Sequence, residues 1–318
     1  MKRKWNRRRF IGAGLAASTG AMAFRFEERA LAAQAQSAAP APTAQADPSK
    51  MPRGRIGPLS VSRMICGGNL ISGFAHSRDL IYVSRLLKEY FTDAKVCDTL
   101  ESCERHGIDT AILRLDENTL RILKAYRRDR GGKIQWIAQV RVSEQDVDSE
   151  IQEAIDNGAA AVFVHGGVGD YWAQRGRPEI LARSIDLIRK NGVVAGIAGH
   201  MIEVPMMCEK EGLKPDFYMK TFNAKNYWSA GPQERHDSVW EETPEQTKAF
   251  MEKVRIPWIA YKVLGAGAIH PRQGFDYAFR HGADFICVGM FDFQIAENAG
   301  ILQQAVARNR ERARPWRG

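Results

Sequence analysis

Cysteine is scarce in this 318-residue chain, and the five present are scattered. Cys66, Cys97, Cys103, Cys208 and Cys287 form an odd set with no C-x-x-C spacing, which excludes a disulfide framework and a thiolate zinc or redox site. Cys66 and Cys287 lie in apolar runs and are predicted to be buried. No strand-linked G-x-G-x-x-G precedes a helix, which argues against an open dinucleotide-binding sheet. No H-E-x-x-H marks a helical zinc site. Beyond the first thirty residues, no apolar run approaches the ~20 residues of a membrane span. Even the charge is less than it looks. The formal net charge is +9, but residues 1–32 carry eight Lys/Arg against two Glu, leaving the remainder near +3. The high pI is therefore no sign of a nucleic-acid-binding face, and no nucleic-acid partner is expected. The basic run Arg308–Arg314 reads as a solvated helix end or tail.

What is present begins with a leader. Arg7 and Arg8 stand just ahead of a small-residue apolar run, Ile11 to Phe24, and Ala30-Leu31-Ala32 offers a small-x-small cleavage site. This is the layout of a twin-arginine export signal over residues 1–32. It predicts a periplasmic or extracellular product that passes the twin-arginine machinery already folded. Membrane attachment is expected only through an uncleaved leader. Residues 33–52 are Ala-, Gln-, Pro- and Ser-rich and read as a flexible linker. Residues 53–318 then suit one domain.

From residue 60 onward, β-branched runs alternate with amphipathic stretches. Strands are predicted at Ser62–Cys66, Thr110–Arg114, Ile134–Val140, Ala160–Val164, Val193–Ala198, Phe217–Thr221, Trp258–Tyr261 and Phe285–Val288. Helices are predicted at Asp93–His106, Glu117–Arg130, Ser143–Asn157, Pro178–Asn191, Thr243–Val254 and Gln273–His281, several stopping at a glycine. Eight strands interleaved with helices predict an α/β fold of the (β/α)8 TIM-barrel type.

Chemistry in such a barrel gathers where the strands end. The strand-end residues are Gly67-Gly68-Asn69, Arg114, Gln139, Arg141, His165, His200, Lys220, Asn223, Lys262 and Gly289-Met290. Together they predict an electropositive mouth suited to a small anionic or hydroxylated substrate. His165 and His200 read either as a general acid/base pair or as two ligands of a divalent metal. Lys220 and Lys262 read as anion clamps, with a Schiff-base role for either as the alternative. The loop Asn223–Glu242, with Tyr227, Trp228, His236 and Trp240, reads as a lid or sugar platform, or as surface packing.

Several of these segments resemble aldo/keto reductases. The opening Arg55-Ile56-Gly57-Pro58-Leu59-Ser60-Val61-Ser62-Arg63-Met64 is similar to the start of that family, and Gly107-Ile108-Asp109-Thr110-Ala111 to its second strand. Val162-Phe163-Val164-His165 is similar to its fourth strand, and Val288-Gly289-Met290 with Gln294, Glu297 and Asn298 to its eighth. The resemblance implies a barrel, carbonyl reduction and a nicotinamide cofactor touched by Gly289 and Met290. It also implies a catalytic Tyr, Lys, Asp and His. Asp109 and His165 fall on two of those positions, while Arg114 replaces the Tyr and Gln139 the Lys. Gly199-His200 replaces a Ser-Asn pair, Lys220 a Gln, and the cofactor-phosphate Arg is absent from Phe291-Asp292-Phe293-Gln294, which weighs against NADP. Arginine stays charged at neutral pH and cannot donate the proton. Three readings follow. The first is an exported barrel enzyme acting on a sugar or a hydroxy or keto acid by acid–base or metal-assisted chemistry. The candidate catalytic residues are then His165, His200, Asp109, Lys220 and Arg114, with Asn69, Gln139, Arg141, Asn223 and Lys262 binding substrate. The alternatives are an oxidoreductase with tightly held NAD(P), and a non-catalytic binding or accessory protein.

Overall fold

The computed structural model describes residues 47–74, 82–225 and 241–318. The leader and the loop residues Tyr227, Trp228, His236 and Trp240 lie outside these. A hairpin, β1 (Arg53–Ile56) and β2 (Leu59–Ser62), precedes the first barrel strand, β3 (Met64–Gly67). Then follow α1 (Val83–Tyr90), α2 (Asp93–Arg105), β4 (Thr110–Arg114), α3 (Glu117–Arg130), β5 (Gln135–Val140), α4 (Ser149–Asp156) and β6 (Ala161–Val164). The chain continues through α5 (Gly166–Gln174), α6 (Pro178–Lys190), β7 (Val194–Gly199), α7 (Glu203–Lys210), β8 (Phe217–Thr221) and α8 (Pro244–Met251). It ends with β9 (Trp258–Tyr261), α9 (Pro271–Arg280), β10 (Phe285–Val288) and α10 (Ile295–Arg308). Strands β3 to β10 are parallel and close into a barrel, with β10 pairing back onto β3. The expected TIM-barrel fold is therefore observed.

Alternation along each strand sorts the core into two layers. One parity points into the barrel: Ile65, Ile112, Ile137, Phe163, Ala198, Met219, Ile259 and Cys287. The other parity, including Trp136, Val162, Tyr218 and Trp258, packs under the helices. This is why the strands were legible. Buried on both faces, they read as unbroken apolar runs. Four predicted strands have the observed bounds, and the others shift by one or two residues at an end. The helix expected over Ser143–Asn157 begins only at Ser149, because the Asp146 carboxylate accepts the N–H groups of Asp148 and Ser149 in a preceding turn.

The floor of the barrel is closed by the hairpin, whose Ile56 and Val61 join the inner layer. Packing reaches back into the expected linker. Met51 is buried, and the Asp47 carbonyl accepts from Gln303. The C-terminal basic run is not the solvated tail expected. Arg312 and Arg314 are both 1% exposed at their side chains, and both ion-pair with the wholly buried Asp284. Arg314 also donates to the carbonyls of Val254, Ile256 and Gly282. A basic run reads as solvated only until a buried carboxylate, distant in sequence, accounts for it.

Candidate functional site

The mouth opens into a cavity of about 500 Å³. Inward parity brings Arg114, Gln139, His165, His200 and Tyr261 into its lining, with Asn69, Lys262 and Gly289 from the loops beyond the strands. Five predicted residues are not brought there.

Asp109 precedes β4 instead of ending it, so it stands at the floor, roughly 16 Å of strand away from Arg114. There it pairs with Arg53 and accepts the Ser62 N–H. The Asp-Thr-Ala motif thus opens a strand, and its match to a catalytic position is lost. Lys220 has outward parity. It is buried among β8, Thr221 and Glu241, its Nζ 2.9 Å from Glu241 Oε2, and burial lowers its pKa against the pull of that carboxylate. Met290 likewise faces the outer core, leaving Gly289 alone of that pair at the cavity. Asn223 is buried and clamps the loop ends, donating to the Lys262 carbonyl and accepting the Lys225 N–H. Arg141 is exposed beside the mouth, where its charge still helps lower the pKa of His165.

The two histidines do meet, with ring centroids 6.4 Å apart. His165 caps α5, its Nδ1 accepting the Gly167 N–H at 3.2 Å, which places the ring proton on Nε2. Burial, together with the nearby His200, Arg141 and Lys262, draws its pKa down to about 4. His200 is held by a residue the sequence reading missed. Asp170, in the first turns of α5, accepts His200 Nδ1–H at 2.7 Å and the backbone N–H groups of His200 and Met201. That geometry fixes the tautomer and leaves Nε2 as the acceptor. Burial lowers the pKa of His200 and Asp170 opposes the fall, so the ring is neutral near pH 7.

Tyr261 was also missed, although two-residue alternation from Ile259 would have found it. Its ring lies 5.5 Å from that of His200. Burial pushes its pKa well above the usual phenol value, so it is a proton donor at neutral pH. Four buried polar side-chain atoms lack a hydrogen-bond partner among the described residues, on Trp172, Trp258, Tyr261 and Arg312. Of these residues only Tyr261 lines the cavity. Gly166 makes the assembly feasible, because a Cβ there would sit 2.7 Å from the Tyr261 hydroxyl and 3.1 Å from His200 Cε1. Lys262, held at φ 57°, places its Nζ 5.9 Å from the Tyr261 ring centroid. Arg114 pairs with Asp116 at 3.1 Å and lies over the Phe74 ring.

The donor set does not suit a metal. His165 carries its ring proton on Nε2, so His200 Nε2 is the one imidazole lone pair the two rings offer, and no group of three or more His, Cys, Asp or Glu among the described residues could hold an ion. In the segment after β10, where the resemblance would place a cofactor-phosphate Arg, stands Asp292, a carboxylate that Tyr90 and Lys95 hold below its usual pKa.

No protein-family model and no curated protein matches the chain. Among solved structures, the barrel is similar to a putative aldo-keto reductase from Pseudomonas aeruginosa (TM-score 0.56, 17% identity, covering 80% of this chain and 94% of that one). It is also similar to an aldo-keto reductase from Bacillus halodurans in its holo form (TM-score 0.52, 12% identity, covering 81% and 96%). At these identities the likeness is one of fold alone, and in fold the chain is a (β/α)8 barrel.

Proposed function

We propose that the mouth is an acid–base active site that moves a proton at the carbon or oxygen next to the carbonyl of a small anionic substrate, a hydroxy or keto acid or an acidic sugar. The observation that carries this reading is the buried Asp170–His200 pair beside the Tyr261 hydroxyl, which has no hydrogen-bond partner among the described residues. Asp170 fixes the imidazole and stabilises the imidazolium that forms. His200 Nε2 takes the proton. The Tyr261 phenol, protonated at neutral pH, donates a hydrogen bond to the carbonyl oxygen as negative charge develops there. Lys262 and Arg114 supply positive charge for the substrate carboxylate. Neutral His165, with Nε2–H as a donor, orients the substrate opposite them.

Deuterium exchange in D2O, followed by proton NMR across a panel of 2-keto acids, 2-hydroxy acids and sugar acids, tests this. At least one should lose its α-proton signal faster with protein than in buffer, and the His200→Gln variant should abolish the gain. No acceleration for any acid, or an unchanged rate in the variant, would sink the reading. Export by the twin-arginine route, which Arg7-Arg8 supports, belongs to the same proposal. Replacing both arginines with lysine should retain the protein in the cytoplasm.

A further inference from the structure

The cavity is two-sided, and the strand order makes the sides opposite. Around the closed barrel, β10 stands across from β6 and β3 across from β7. β6 and β7 run into His165 and His200, whereas β3 ends in Gly67 and β10 runs into Gly289. No side chain fills the cavity from those two glycines. A Cβ at Gly67 would meet the Gly289 nitrogen at 2.9 Å, and one at Gly289 would meet Leu70 at 3.2 Å. Around this sector the lining is mostly apolar, with Leu70, Phe74, Leu264 and Phe291 outweighing the polar Asn69, Ser72 and Gln294. The wall is also held in place. Phe291 stacks between Phe91 and Phe293, at centroid distances of 5.5 and 5.2 Å. Asp292, between the two phenylalanines, is tied by the Tyr90 hydroxyl at 2.5 Å and Lys95 at 3.0 Å. Phe74 borders the charged edge of this wall at β4, its ring centroid 4.9 Å from the Arg114 guanidinium carbon. A short acid bound at the histidines would leave this wall wet, and a fully hydroxylated sugar would lose hydrogen bonds against it.

We propose that the substrate is an amphipathic acid, its carbonyl at the His165–His200 sector, its carboxylate toward Lys262 and Arg114 on the flanking strands β9 and β4, and an aromatic or branched apolar group against the β3–β10 wall. The placement of the head group rests on the acid–base reading above.

Calorimetric titration of the intact protein with pyruvate, phenylpyruvate and glucuronate tests it. Phenylpyruvate should bind about 10- to 100-fold tighter than pyruvate, the amount expected for burying one phenyl ring. Glucuronate should bind more weakly than phenylpyruvate. Leu70→Ser should cut phenylpyruvate affinity several-fold and leave that of pyruvate in place. Equal affinities for the two keto acids, or tighter binding of glucuronate, would overturn the inference. So would displacement of phenylpyruvate by NADH with higher affinity, since the wall would then serve a nucleotide. A phenyl preference without proton exchange in any acid refutes the acid–base reading alone. Exchange without a phenyl preference refutes the amphipathic substrate alone.

Discussion

Both ends of this barrel bury ionisable groups, and they treat them differently. At the floor, Asp284 is saturated. It receives Arg312 and Arg314 as ion pairs and the backbone N–H groups of Trp258 and Arg317, while Arg63 donates to its carbonyl. Burial draws Arg63 and Arg312 down to about 10, yet both remain cations at neutral pH. At the mouth, Asp170 is equally well partnered, but the chain stops there. His200 presents a free acceptor nitrogen by its tautomer, His165 is kept neutral, and the Tyr261 hydroxyl donates to nothing among the described residues. The Asp284 carboxylate is saturated and fixes structure although Arg312 Nε beside it lacks a partner among the described residues, whereas the open groups of the mouth line a cavity and stand ready for a ligand. The floor therefore reads as a clamp that ties the C-terminal segment to the barrel, and the mouth as a site.

The sharpest way to break this contrast is to disable one member at each end. His200→Gln should lower proton-exchange turnover by about 10²- to 10⁴-fold, the range for loss of a general base, while costing only about 1–3 kcal/mol of unfolding free energy, because Asp170 keeps its two backbone donors. Asp284→Ala should do the reverse. It strands two buried guanidinium groups, so it should cost about 3–5 kcal/mol in urea unfolding, or prevent recovery of soluble protein. Any folded fraction should keep its affinity for the acid. If His200→Gln unfolded the protein and Asp284→Ala left it intact, the roles assigned to the two ends would be exchanged.

Acid should separate the ends next. The folded-state pKa of His165 lies at about 4, below its unfolded value of about 6.5. Between those values the unfolded chain binds the proton and the folded one does not, so stability rises with pH across that window. It is complete above pH ~6.5 and falls by about 3 kcal/mol as pH drops to ~4. The lowered pKa of His200 acts in the same direction. The floor arginines keep their charge throughout this range, so His165→Asn should flatten the slope while Arg312→Lys should not. Chemical unfolding at pH 4, 5, 6 and 7 measures it.

The same contrast explains what the sequence disclosed. Strands such as Phe217–Thr221 and Phe285–Val288 were legible because burial on both faces leaves an apolar signature no helix of that length needs. Strand ends were legible too, and so were His165 and His200. Which side chains turn inward follows from two-residue parity. Counting from Met219 sends Lys220 outward, and counting from Cys287 sends Met290 outward. Asp109 was misplaced because a motif match carries no position along the strand. Asp170 and Asp284 were illegible for another reason. Their partners lie about thirty residues away and meet them only once the barrel closes. No local spacing encodes such a pairing.

The smallest expected effect is also the one that joins stability to function at a single atom. Tyr261→Phe removes a hydroxyl without a partner among the described residues and keeps the ring against His200. Were the oxygen an idle structural group, its removal would relieve a buried, unsatisfied donor and leave turnover unchanged. If it donates to the substrate carbonyl, turnover should fall roughly 10- to 100-fold, at the low end for a positioned acid, while the protein becomes no less stable or gains up to about 1 kcal/mol. The floor offers the control. Ser62, whose hydroxyl donates to the Met64 carbonyl at 2.6 Å, has a satisfied group, so Ser62→Ala should cost about 1 kcal/mol of stability and nothing in turnover. Opposite signs of stability change for two lost hydroxyls, with activity lost at only one, would establish that the open hydrogen bond at the mouth is kept for a ligand.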